Sequence, residues 1–274
     1  MAPAASPVRA PAVAGTFYPG ESRELAQSLA QMLGAAAHEA PSREMPKAII
    51  APHAGYIYSG PVAASVYALL AQARDRITRV VLLGPTHRFA VQGLALPDAG
   101  AFATPLGAVE IDRAAVDALS RLPQVVVNDQ AHALEHSLEV HVPFLQTMVG
   151  QFTLVPLAVG QATAAEVAEV LDTLWGGPET LIVVSSDLSH YLPYGDAQAV
   201  DRTTAQAILA LSTEISHEQA CGATPVTGLT ATARRRGLKP ELIDLRNSGD
   251  TAGDKNRVVG YGAFAFYDGA RNGP

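Results

Sequence analysis

Apolar residues in this chain arrive in short continuous runs rather than in alternation. Segments 47–51 (Lys-Ala-Ile-Ile-Ala), 79–83 (Arg-Val-Val-Leu-Leu) and 180–184 (Thr-Leu-Ile-Val-Val) are apolar on both faces. That pattern predicts inner, parallel strands that neighbour one another in one sheet. Further strands are predicted at Val109–Asp112, Gln124–Asp129, Phe152–Val159, Glu241–Leu245 and Arg257–Tyr267. Between them, leucine spacing predicts a helix from Ser22 to Leu33 that stops at Gly34, and Gly60-Pro61 opens a second. Ala114–Leu122, Ala162–Leu174, Asp196–Ser212 and 223–236 complete the helical set. Residues 1–20 read as an irregular arm anchored by Phe17 and Tyr18, and Arg88–Gly107 as a long irregular loop of the kind that covers a site. Strand–helix alternation throughout predicts a three-layer α/β/α sandwich, with 1–274 as a single domain.

Composition narrows the function classes. With 48% hydrophobic and 16% charged residues the chain is core-forming. No apolar run approaches the ~18 residues of a membrane span. A net charge of −7 speaks against nucleic acid or an anionic membrane as partner. Arg234-Arg235-Arg236 reads as a solvated helix end before Gly237, and His38 as a surface histidine in a polar linker. One cysteine excludes an intramolecular disulfide framework and, with the lack of a secretory pattern at the N-terminus, predicts a cytoplasmic protein.

The chemistry lies where the strands end. The runs terminate on Pro52-His53, on Thr86-His87 and on Ser185-Ser-Asp-Leu-Ser-His190. Ligands of open α/β sheets bind at the carboxyl ends of strands. Three imidazoles at one sheet edge therefore indicate a metal pocket or a proton-transfer site. Asp187, three residues before His190, is placed to orient that ring; helix capping by Ser185, Ser186 or Asp187 is the alternative. Tyr56 and Tyr58 follow His53 closely enough to shape the pocket. The segment 131–143 carries His132, Glu135, His136 and Glu139, paired at i,i+4 if helical. His136 and Glu139 could line the pocket or support it, or the segment could be a purely structural polar helix. It is not the His-Glu-x-x-His motif of zinc proteases. Cys221, taken alone, reads as an inert packing group.

Several stretches together resemble the Memo (mediator of cell motility) family. They are 9–19, Ala51-Pro-His-Ala-Gly-Tyr-Ile-Tyr-Ser-Gly60, Leu83-Gly-Pro-Thr-His87, Glu135-His-Ser-Leu-Glu-Val-His-Val-Pro-Phe144, Ser185–His190, Cys221-Gly222 and Val258-Val-Gly-Tyr-Gly262. The resemblance implies a fold similar to the class III extradiol dioxygenases, which use non-haem iron. It implies His53, His87 and Cys221 as metal ligands, and His190, with Asp187 beside it, as the acid/base group. Fe(II) is then the first expectation for the metal. Copper is the second, because a thiolate replaces the carboxylate of the dioxygenase triad, and zinc the third. A small molecule or a peptide is the expected pocket ligand.

Overall fold

The computed structural model describes residues 7–37 and 45–269; His38 lies outside them. In chain order the first elements are β1 (Val8–Arg9), α1 (Ser22–Ala37), β2 (Ala48–Ala51), α2 (Tyr56–Tyr67) and β3 (Arg79–Pro85). Next come β4 (Leu94–Leu96), β5 (Ala101–Thr104), β6 (Gly107–Glu110), α3 (Arg113–Leu119), β7 (Val125–Val127), α4 (Asp129–Ala133) and α5 (Val142–Met148). The remainder are β8 (Thr153–Val159), α6 (Ala164–Leu174), β9 (Thr180–Ser185), β10 (His190–Leu192), α7 (Tyr194–Leu209), α8 (Ala223–Arg236), β11 (Lys239–Asn247) and β12 (Val258–Tyr267).

The main sheet runs β10-β12-β2-β9-β3-β8-β4-β7, with β11 also paired to β12. Its centre, β2-β9-β3-β8, is parallel, and β12 and β4 flank it antiparallel. The three doubly apolar runs are thus the neighbours that the pattern predicts. Because side chains alternate along a strand, each run feeds two cores. Ile49, Val80, Leu82, Leu181 and Val183 face one layer, with Leu25 and Leu29 of α1, Val62 and Val66 of α2, and Phe144 of α5. Ile50, Val81, Leu83, Ile182 and Val184 face the other, with Val167 and Leu171 of α6, Ile208 of α7, and Val226 and Leu229 of α8. Helices on both faces of one sheet make the three-layer sandwich.

Four local expectations need correction. Helix α1 continues through Gly34 to Ala37, since leucines 25, 29 and 33 already bury its face and one exposed glycine costs only about 1 kcal/mol. Helix α2 begins at Tyr56, so Pro61 lies within it rather than at its start. The stretch after β3 is not wholly irregular: it holds β4, which joins the main sheet, and β5, which forms a separate small sheet with β1 and β6. Segment 131–143 is not one helix; α4 ends at Ala133 and a 3-10 turn spans Glu139–His141. The basic cluster behaves as read, with α8 capped by left-handed Gly237 and with Arg235 and Arg236 on Asp172. Among the described residues no helix is long and apolar enough to cross a membrane.

The N-terminal arm is tied down by one buried carboxylate. Glu139 accepts from Arg9 Nη1 at 2.7 Å, from the Ala12 and Val13 amides at 2.7 and 3.0 Å, and from Tyr18 Oη at 2.6 Å. Sequence reading offered Glu139 to the pocket; its donors instead come from the arm. The same arm places Phe17 against the His136 ring, centroids 4.7 Å apart.

Candidate metal centre

The strand order puts the ends of β2, β9 and β3 side by side. Ala51 is in register with Ser185 and Leu83 with Val184, so the residues that follow leave the sheet along one edge. His53, His87 and His136 meet there, the last delivered by the loop between α4 and α5. One nitrogen from each ring lies within 4.8 Å of the others. His53 is buried, His136 nearly so, and His87 reaches solvent.

Each ring has its own support. Glu135 clamps His87, accepting from its amide at 2.5 Å and from Nδ1 at 2.9 Å, and also from the amides of His136 and Ser137 at 2.9 Å each. Burial alone would raise the Glu135 carboxyl, but these donors hold it down to about 2. The ionised carboxylate holds a proton on His87 Nδ1, so Nε2 is the nitrogen that could serve a metal. Burial lowers His136 to about 4 and takes His53 well below the ordinary histidine value, with neighbouring imidazoles adding to both shifts. Both rings are therefore neutral, as a ligand must be. His136 Nδ1 is buried with no hydrogen-bond partner among the described residues, and is 3.3 Å from Glu135 Oε1. Such an orphan is uncommon in folded proteins. A metal coordinated near it, or a shift of its proton toward Glu135, would resolve it, so the residues fit a cation here.

Cys221 also approaches His53, its Sγ 3.3 Å from Nε2. Burial, then the charge of Asp187, raises its thiol well above the usual range. The next residue must be glycine: a Cβ on Gly222 would fall 2.5 Å from Ser185 O and 2.7 Å from Ser186 Cβ. Ser186 completes the join, accepting from the Gly222 amide at 3.0 Å. Ser185 and Ser186 thus cap no helix, because β10 and not a helix follows them.

The other sequence candidates divide. His190 opens with His87 and Cys221 onto a cleft of about 890 Å³ whose walls include Leu192, Val200 and His217. Asp187 does not orient it. The His190 Nδ1–H donates to Leu188 O at 2.8 Å, because the chain turns back on itself to start β10. Asp187 instead accepts the His53 amide at 2.7 Å, and burial pushes its carboxyl up to about 6. Tyr56 turns away from the pocket: its hydroxyl donates to Val140 O at 2.7 Å and its ring packs on Phe144. Tyr58 sits part-exposed on the first turn of α2. His132 is buried on the far side of the loop, with Nε2 2.9 Å from Ala95 O.

Buried neutral histidines make stability pH-dependent. His141, fully enclosed, is lowered by burial to about 3. The unfolded chain therefore binds a proton below about pH 6.5 that the native chain refuses. Stability is complete above that value and falls by about 1.4 kcal/mol per pH unit below it. Urea unfolding of the metal-free protein at pH 7 and pH 5 tests this. His141→Gln keeps an N–H donor but cannot titrate, and its pH 7-to-5 loss should be smaller than that of the unsubstituted chain by about 2 kcal/mol. Equal losses in the two proteins would contradict a neutral His141.

An α/β sandwich with imidazoles and a thiol gathered at the carboxyl edge of its parallel strands is of the open-sheet class. A family model described as "Memo-like protein" matches residues 9–265. A MEMO1 family protein of Aquifex aeolicus is 36% identical over 271 residues, covering 94% of this chain and 99% of its own. One from Aeropyrum pernix is 38% identical over 280 residues, covering 93% and 98%. The chain belongs to the Memo family. The crystal structure of uncharacterized protein JW3007 from Escherichia coli K12 overlaps 80% of this chain and 99% of its own, with TM-score 0.50 and 15% identity, a likeness of fold alone.

Proposed function

We propose that this protein binds one first-row transition metal ion, iron(II) before copper, through His53 and His87, with His136 and Cys221 completing the donor set. The proposal extends to redox chemistry on a small molecule held in the adjoining cleft. The observation that carries it is the approach of three imidazole nitrogens to within 4.8 Å, one of the rings holding a buried nitrogen with no hydrogen-bond partner among the described residues. Imidazole suits iron, copper and zinc alike, and a thiolate ligand would favour copper(I) or zinc. The expected likeness of the family's fold to the extradiol dioxygenases supports iron as the first choice. Such an ion, when bound, would supply a Lewis acid and a redox partner for oxygen.

The chain's own residues supply the rest. His190, with Nδ1 occupied by Leu188 O, has Nε2 left to take a proton from a bound molecule. Leu192 and Val200 supply apolar wall, which excludes water from one side of the cleft. Elemental analysis of untagged protein, followed by oxygen uptake with a catechol panel after anaerobic iron loading, tests the reading. About one iron or copper per chain is expected. Ring opening by the unmodified protein would establish dioxygenase chemistry. A chain that neither carries nor takes up a first-row metal would refute the metal site and leave the cleft as a partner- or peptide-binding surface.

A further inference from the structure

His53 is held from behind by residues far from it in the sequence. Its Nδ1 lies 2.6 Å from Ser185 Oγ. The same oxygen lies 2.6 Å from Ser137 O and 2.9 Å from His141 Nε2. A carbonyl oxygen only accepts, so the single Ser185 proton goes to Ser137 O. Ser185 Oγ must then accept from both imidazoles. His53 therefore carries its proton on Nδ1, and His141 carries its own on Nε2. The arrangement closes at the far end, where the freed Nδ1 of His141 accepts from Tyr67 Oη at 3.0 Å. All four side chains are at most 2% exposed, so water does not compete for these bonds.

We infer that Ser185, backed by His141 and Tyr67, is a positioning residue that fixes His53 in its Nδ1–H form and so presents the Nε2 lone pair to the cluster. Neutral histidine offers a metal only the nitrogen without the proton, and partners behind a ligand usually set affinity by about 10- to 100-fold. The three residues come from α2, from the 3-10 turn before α5, and from the end of β9. Only the assembled sandwich makes the chain continuous. The consequence for metal affinity rests on the metal reading above; the tautomer does not.

Two measurements keep the claims apart. In the metal-free, ¹⁵N-labelled full chain, long-range imidazole spectra should show His53 protonated on Nδ1 and His141 on Nε2. A native His53 protonated on Nε2 would overturn the inference. Titration with Co(II), followed by its visible absorption, should show Ser185→Ala binding about 10- to 100-fold more weakly than the unsubstituted chain, with circular dichroism unchanged. Unchanged affinity in a folded Ser185→Ala protein would also overturn it. Should that variant fail to fold, the spectrum of the unsubstituted chain decides. Absence of Co(II) binding by the unsubstituted chain would count against the metal site alone, while the tautomer spectrum still judges Ser185.

Discussion

A His53→Ala, His87→Ala double variant is expected to purify without stoichiometric metal, from a culture in which the unsubstituted chain carries about one ion. Three imidazoles converge, with Cys221 Sγ beside one of them, and the substitutions remove two of the three. They also remove the pair that follows directly on the ends of two inner strands. His136 and Cys221 would remain, but two ligands do not hold a first-row ion against the three or four that structural and catalytic sites use. Neither residue belongs to the apolar core clusters, although His53 is buried, so thermal unfolding should stay cooperative. Metal content measured on folded protein is the check, and undiminished metal in the double variant would sink the assignment of these two histidines.

The second large effect is on stability. Glu139→Ala should lower the unfolding free energy by about 3–5 kcal/mol, the usual cost of leaving a buried ionic partner alone. Arg9, only 8% exposed, would keep bonds to the carbonyls of His132 and Glu135 but lose its counter-charge. The amides of Ala12 and Val13 and the Tyr18 hydroxyl would lose their acceptor together. Because Phe17 of the same arm packs on His136, the loss should also loosen the metal cluster. Urea unfolding at pH 7 measures the first consequence. A destabilisation below about 1 kcal/mol would mean that the arm is held by its apolar contacts and not by this carboxylate.

Strand-end histidines 53, 87 and 190 read as one set of three, and the fold does bring all of them to one edge. Yet His190 faces the cleft, and the third imidazole beside His53 and His87 is His136. Its segment looks helical by spacing, with Glu135 and Glu139 on a shared face. The helix has already ended at Ala133, and those two carboxylates answer to different partners. Glu135 is drawn to His87 and to the amides of His136 and Ser137, and Glu139 to the N-terminal arm. Local periodicity carries no record of partners 48 or 130 residues away. Strands β4 and β5 stayed hidden for a related reason: each is only three or four residues long, and each is stabilised by the strand it pairs with rather than by its own composition.

Runs of Val, Ile and Leu were enough by themselves to determine the inner strands, since a segment apolar on both faces has no stable place except inside a covered sheet. Those runs also determined where His53 and His87 would stand, because a histidine that immediately follows a buried parallel strand emerges at its carboxyl edge. The tertiary structure alone decided what surrounds them. Glu135 became a clamp, Ser185 a proton-directing oxygen, Asp187 a partner of the His53 amide, and Tyr56 a core ring. Each role depends on a hydrogen bond or contact made across the fold, whose geometry exists only after the sheet and its two helical layers have closed.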